Sequence, residues 1–106
     1  MAYDEGVAHE LREKLRERND ITEKKMFGGM VFLLNGKMVC GVIGEDIVFR
    51  IGPDLFKNAL KVEHVRPMDF TGRPMKGYIY LAPEGHSDEN IDMFLQQSID
   101  FVSILH

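Results

Sequence analysis

The segment GMVFLLNGKMVCGVIGEDIVFRI, residues 29–51, constrains the fold more than any other part of the chain. Its apolar residues follow a period of two, and the runs are separated by Asn35-Gly36 and by Gly44-Glu45. Both dipeptides suit two-residue hairpin loops, because the turns that match the twist of paired strands need positive φ at one or both central residues. A three-stranded antiparallel meander follows. These turns predict a register of Leu33 with Met38, Val31 with Cys40, Val42 with Ile47 and Cys40 with Phe49. In that register Val31, Leu33, Met38, Cys40, Val42, Ile47, Phe49 and Ile51 share one face without a polar residue, the expected core face. The other face holds Met30, Phe32, Leu34, Lys37, Val39, Gly41, Ile43, Asp46, Val48 and Arg50, which is too apolar to be fully wetted. Phe32, Leu34, Val39, Ile43 and Val48 are therefore candidate interface residues, to be covered by a terminal helix, by a second copy of the chain in a homodimer, or by another protein.

Helices are expected on both sides of this block. Asp4 can cap a first helix whose apolar positions Val7, Ala8, Leu11 and Leu15 recur every three or four residues, ending near Asn19, with Glu10 and Lys14 at i,i+4 spacing on its solvated side. Gly52-Pro53-Asp54 opens a short helix to about Lys61, since proline is tolerated where its missing N–H is not needed. Ser87 caps a last helix with Ile91, Phe94, Leu95, Val102 and Leu105 in helical period. Between these lie RPMDFTGRPMKGY, residues 66–78, and the alternating KGYIYL, residues 76–81. Pro67 and Pro74 each lack a ladder donor, so the first stretch cannot be a regular central strand, whereas the second is strand-like. The chain is thus expected to be a two-layer α+β domain: an antiparallel sheet of three meander strands plus one later strand, carrying N-terminal, middle and C-terminal helices.

A length of 106 residues suits one domain with one core, residues 1–106. The apolar fraction of 44% and the charged fraction of 28% are those of a soluble globular protein, and no apolar run reaches the roughly 18 residues of a membrane span. The first residues, MAYDEGVAHELREKLRERND, lack the apolar core of a signal peptide, so a cytoplasmic location is expected. One cysteine, Cys40, agrees with a reducing compartment. The net charge of −4 argues against non-specific binding to DNA. It is unevenly spread, however: residues 24–80 carry nine basic and five acidic side chains, and residues 81–106 carry five acidic and no basic ones.

Signals for catalysis are weak. MFGGM, residues 26–30, lacks the Gly-Lys-Ser/Thr ending of a phosphate loop and leads into a strand, so its glycines are expected to permit a bend or a close backbone approach. His9, His64, His86 and His106 are scattered and complete no metal-ligand spacing with a single cysteine. Cys40 is expected to be a buried, inert residue of the core. No metal or other cofactor is expected, and neither is an enzyme. The remaining chemistry is that of the stiff loop: Arg66, Arg73 and Lys76 are candidate donors to an anion or an acidic partner, unless Asp69 or a helix C-terminus already satisfies them.

MFGGMVFLLNGKMVCGV, RIGPDLFKNAL and RPMDFTGRPMKGYIYL together resemble the N-terminal domain of the TfoX/Sxy family of bacterial competence regulators, over nearly the whole chain. The resemblance implies a bacterial or archaeal origin and a two-layer α+β fold similar to that of the type III secretion chaperones. Full-length members act in transcriptional activation of DNA-uptake genes with the cyclic-AMP receptor protein and carry a second, C-terminal domain. The chain resembles the stand-alone N-terminal modules, and no catalytic residue is carried over. The expected function is a non-enzymatic regulatory module acting through protein contacts. The alternative is a module binding a small anion or nucleic acid through Lys24, Lys25, Arg50, Arg66, Arg73 and Lys76.

Overall fold

The computed structural model describes residues 3–69, 72–73 and 75–105. Its element order is α1 (Glu5–Lys14), β1 (Ile21–Met26), β2 (Gly29–Leu34), β3 (Lys37–Ile43), β4 (Asp46–Arg50), α2 (Pro53–Ala59), β5 (Val65–Pro67), β6 (Tyr78–Leu81) and α3 (Asp88–Ser103). The strands form one antiparallel sheet in the order β1-β2-β3-β4-β6-β5. The α+β class and the three helices are as expected. Two strands are additional: β1, whose four central residues are exposed and carry no alternation of polarity, and β5, a three-residue edge strand that tolerates Pro67 because an edge needs no second set of donors.

Local signals placed the element ends well where a side chain or a turn decides them. Asp4 Oδ1 accepts from the Gly6 and Val7 amides at 2.8 and 3.1 Å, and Ser87 Oγ accepts from Asn90 N at 3.1 Å. Asn35 and Gly36 have φ of 51° and 83°, and Gly44 has φ of 60°, so both hairpin turns stand where predicted. Helix α1, by contrast, stops at Lys14 and not near Asn19: the Arg16 and Arg18 amides bond to carbonyls three residues back, which tightens the chain into turns. Helix α2 ends the same way at Ala59, with Lys61 and Val62 bonding to Asn58 and Ala59. Lys76 and Gly77 (φ 93°) form a turn, so β6 begins only at Tyr78. The Lys14 ammonium does not pair with Glu10. It reaches Asp92 at 2.8 Å and Asp88 at 3.3 Å on α3, tying the terminal helices together.

The register departs from expectation at one residue. Leu33 pairs with Met38, Cys40 with Phe49 and Val42 with Ile47 as predicted, but Phe32, not Val31, lies opposite Cys40, and Val31 pairs with Gly41. The register shifts between Phe32 and Leu33, so Val39 is the extra residue of a β-bulge. One inserted residue inverts sidedness across it. Phe32, Leu34 and Val39 therefore join Cys40, Val42, Ile47, Phe49 and Ile51 under the helices, against Ala8, Leu11, Ile91, Phe94 and Val102. Val31, Met38 and the partly buried Leu33 move to the opposite, outer face.

One ion pair ties α1 to the edge strand. Arg12 Nε and Nη2 donate to the Glu23 carboxylate at 2.6 and 2.8 Å. That hydrogen bond outweighs the desolvation opposing it and holds the Glu23 carboxyl below its ordinary range. Stability from a depressed carboxylate is present above the unfolded pKa, about 4.3, and is lost as pH falls through the lower folded value. The pair is solvent-exposed, so its share is within about 1 kcal/mol. Glu23→Gln should therefore lower the melting temperature at neutral pH slightly, and the difference should vanish in acid once the carboxyl is protonated in both the folded and the unfolded chain. Equal melting of both proteins at neutral pH would show that the pair adds nothing.

Candidate functional site

The outer face of the sheet is covered by the chain itself. Val31, Met38, Val48, Met68 and Tyr80 form a second buried cluster, with Met26, Phe27, Leu33, Ile43, Met75 and Tyr78 packed around it. The covering comes from the segment between β5 and β6. Met68 N donates to Tyr78 O at 3.1 Å, Met75 N returns to Met68 O at 2.7 Å, Tyr78 N bonds to Met75 O at 3.0 Å, and Gly72 N closes a turn on Asp69 O at 2.8 Å. This brace leaves Met68 fully buried and Asp69, Gly72, Arg73 and Lys76 exposed. Pro74, half of the predicted stiffening, lies outside the described residues, as does His106. No terminal helix or second chain is needed to close this face over Met68. The five candidate interface residues do not form one solvent-facing patch: Phe32, Leu34 and Val39 are buried on the helix side, Val48 is buried beneath the outer cluster, and Ile43 is half-buried at its edge.

The three candidate loop cations divide. Arg66 is committed: Nη2 and Nη1 bond to the Asp46 carboxylate at 2.6 and 3.4 Å, and the guanidinium carbon lies 4.5 Å from the Tyr80 ring centroid. The bond to Asp46 raises the Arg66 pKa further, against the opposing effect of desolvation, while burial raises that of the Tyr80 phenol. The partner is thus Asp46 and not Asp69. Because Arg66 is on β5 and Asp46 on β4, the pair clasps both strands across β6. Arg73 and Lys76 are exposed and make no hydrogen bond or ion pair among the described residues. A third cation joins them. Arg50 is half-buried, its guanidinium carbon 5.5 Å from the Tyr78 ring centroid and 5.7 Å from that of Phe101, and it pairs with no described carboxylate. Ile51 N and Gly52 N both donate to Gly77 O, at 2.9 and 3.1 Å, which fixes the Lys76-Gly77 turn against the end of β4 beside Arg50. In the sequence Arg50 stood only among the wider set of basic residues. Its ring contacts bring together residues separated by some fifty positions, a pairing that no local pattern carries.

Other sequence motifs resolve as structure. MFGGM spans the turn from β1 to β2, with Phe27 at φ 57° and Gly28 at φ 74°, and it leads into a strand and not into a helix. Cys40 is fully buried in the helix-side core, and burial pushes its thiol far up from the ordinary range. Thiol reagents should therefore leave native protein unlabelled while reacting stoichiometrically in denaturant; rapid labelling without denaturant would show the side chain to be accessible. Cys40→Ala should cost about 1 kcal/mol by lost packing. Among the described residues, no group of three or more His, Cys, Asp or Glu is placed to hold a metal ion. Nor is any helix there long and apolar enough to cross a membrane.

Fold and surface together define a two-layer α+β domain whose outer sheet face is braced by its own loop and edged with cations that pair with no carboxylate among the described residues. The chain belongs to the TfoX N-terminal domain family, whose model matches residues 13–102. That family is a module of the competence-regulator kind and is not a known enzyme family. No individual curated protein and no solved structure matches the chain.

Proposed function

We propose that the chain is a non-enzymatic regulatory module that acts by contact with another protein, and that Arg50, Arg73 and Lys76 receive an acidic segment of that partner. One observation carries this reading: three cations that pair with no carboxylate among the described residues stand on a braced surface of a chain whose net charge is −4. Such a surface repels bulk polyanions through its overall charge yet attracts a short acidic stretch at close range. Hydrogen bonds from Met68, Gly72 and Met75 limit the ordering entropy that each contact has to overcome. The planar forks of Arg50 and Arg73 suit carboxylates bidentately, and Lys76 adds a point charge. A reduced, buried Cys40 suits the reducing cytoplasm as the place of action.

The test compares two labelled probes of equal charge, an acidic peptide rich in Glu and Asp and a short single-stranded DNA. The peptide should bind the more tightly, and Arg73→Ala with Lys76→Ala should weaken it about tenfold while leaving thermal melting unchanged. Tighter binding of the DNA, with a steep salt dependence, would favour the nucleic-acid alternative. Unchanged peptide binding by the double variant would remove these residues from the contact. Arg66→Ala should act differently, lowering stability slightly, by up to about 1 kcal/mol, as it opens the solvent-exposed clasp to Asp46.

A further inference from the structure

The helix layer carries a second surface, of opposite character. Between α2 and α3 lies a groove of about 220 Å³, with Ala59 and Phe94 buried and Leu55 and Met93 exposed along it. Leu55 at 37% and Met93 at 39% are two of the three large exposed apolar side chains among the described residues, and both fall on this one groove. The carboxamides of Asn58 and Gln97 also line it, and neither makes a hydrogen bond among the described residues. Gln97 Oε1 is buried without a partner. An unanchored carboxamide can turn about its last torsion and offer either N–H or C=O, which is what a peptide backbone with both groups requires. Methionine adds a wall that adapts to differently shaped side chains.

Charge narrows the occupant. Helix α3 carries Asp88, Glu89, Asp92 and Asp100 and no Lys or Arg. Lys14 engages Asp88 and Asp92, which leaves Glu89 and Asp100 without a cation among the described residues. We infer that the groove between α2 and α3 docks a basic peptide segment, which inserts one apolar anchor side chain between Leu55 and Met93, bonds its backbone to Gln97 and Asn58, and places flanking Lys or Arg beside Glu89 and Asp100. The volume suits one large side chain, so the contact is a short linear segment and not a broad protein face. It does not depend on the cationic outer face, which lies on the other side of the sheet.

The experiment measures fluorescence anisotropy of the labelled peptide Lys-Lys-Ala-Leu-Ala-Lys-Lys with the intact chain. Saturable binding below about 1 mM is expected. Leu55→Ser with Met93→Ser, which changes no charge at two exposed positions, should weaken it about tenfold, and Gln97→Leu should weaken it severalfold. In the Arg73→Ala, Lys76→Ala background, which removes two cations of the outer face, the basic peptide's affinity should be unchanged, and replacing the peptide's lysines by glutamates should abolish binding. Binding that does not saturate, that survives the double serine variant with its melting intact, or that the glutamate peptide matches in that background would overturn the proposal.

Discussion

Gly29→Ala is expected to lower the unfolding free energy by about 3 kcal/mol or more, an overpacking cost set by backbone and not by side chains. A Cβ at Gly29 would stand 2.1 Å from Val42 O and 3.1 Å from both Val42 C and Ile43 Cγ1. Residue 29 opens β2 opposite Met26, and β3 passes so near that only hydrogen fits. A flexible side chain could swing away, but Val42 O belongs to the ladder that joins β2 to β3, so relief means displacing two central strands. Gly28→Ala is the control. Its φ is 74° and nothing lies within 4 Å of a Cβ there, so it should cost only the left-handed strain, about 1–2 kcal/mol. Urea denaturation of both variants checks the contrast. Equal losses would mean that the close approach at Gly29 relaxes freely, and that MFGGM is needed for its turn alone.

Met68→Ala should cost about 2–5 kcal/mol, the range for deleting a fully buried side chain where the cavity cannot collapse. Met68 sits at the middle of the outer cluster, against Val31, Met38, Val48 and Tyr80, and its segment is pinned at both ends by backbone bonds. Asp69→Ala, one residue on and exposed, should change melting little. The variant also reports on association. Native protein should scatter light as a monomer at about 50 µM, because the apolar outer face is closed within the chain. Met68→Ala should bind hydrophobic dyes or self-associate. A dimeric native protein would show that a second copy adds to the cover that Met68 supplies.

These two sites divide what could be read along the chain from what could not. The turns at Asn35-Gly36 and Gly44-Glu45 were legible because positive φ is a cost borne by single residues. The caps Asp4 and Ser87 were legible because each side chain bonds an amide two or three positions away. Pairing of β3 with β4 followed from the same local turn, and with it the burial of Cys40. Family membership rested on short blocks, MFGGM and RPMDFTGRPMKG, and the family match confirms it.

Pairing of β2 with β3 could not be read correctly beyond Leu33–Met38, because counting from a turn assumes that no residue bulges, and Val39 does. That single residue exchanged Phe32 for Val31 in the helix-side core. Strand β1 gave no signal, since its central residues Thr22, Glu23, Lys24 and Lys25 are exposed at an edge and are ordered by ladder bonds to β2, with only Ile21 and Met26 packed against the apolar clusters. The candidate cations were sorted by contacts longer still. Arg66 meets Asp46 from twenty positions away, and Arg50 meets Phe101 from fifty-one. Turn and cap energies depend on a few neighbouring torsions, so the sequence by itself determined them. Which face of the sheet is covered, by what, and which arginine keeps a free fork depend on side chains that only closure of the whole sheet brings within reach, so the tertiary structure alone decided them.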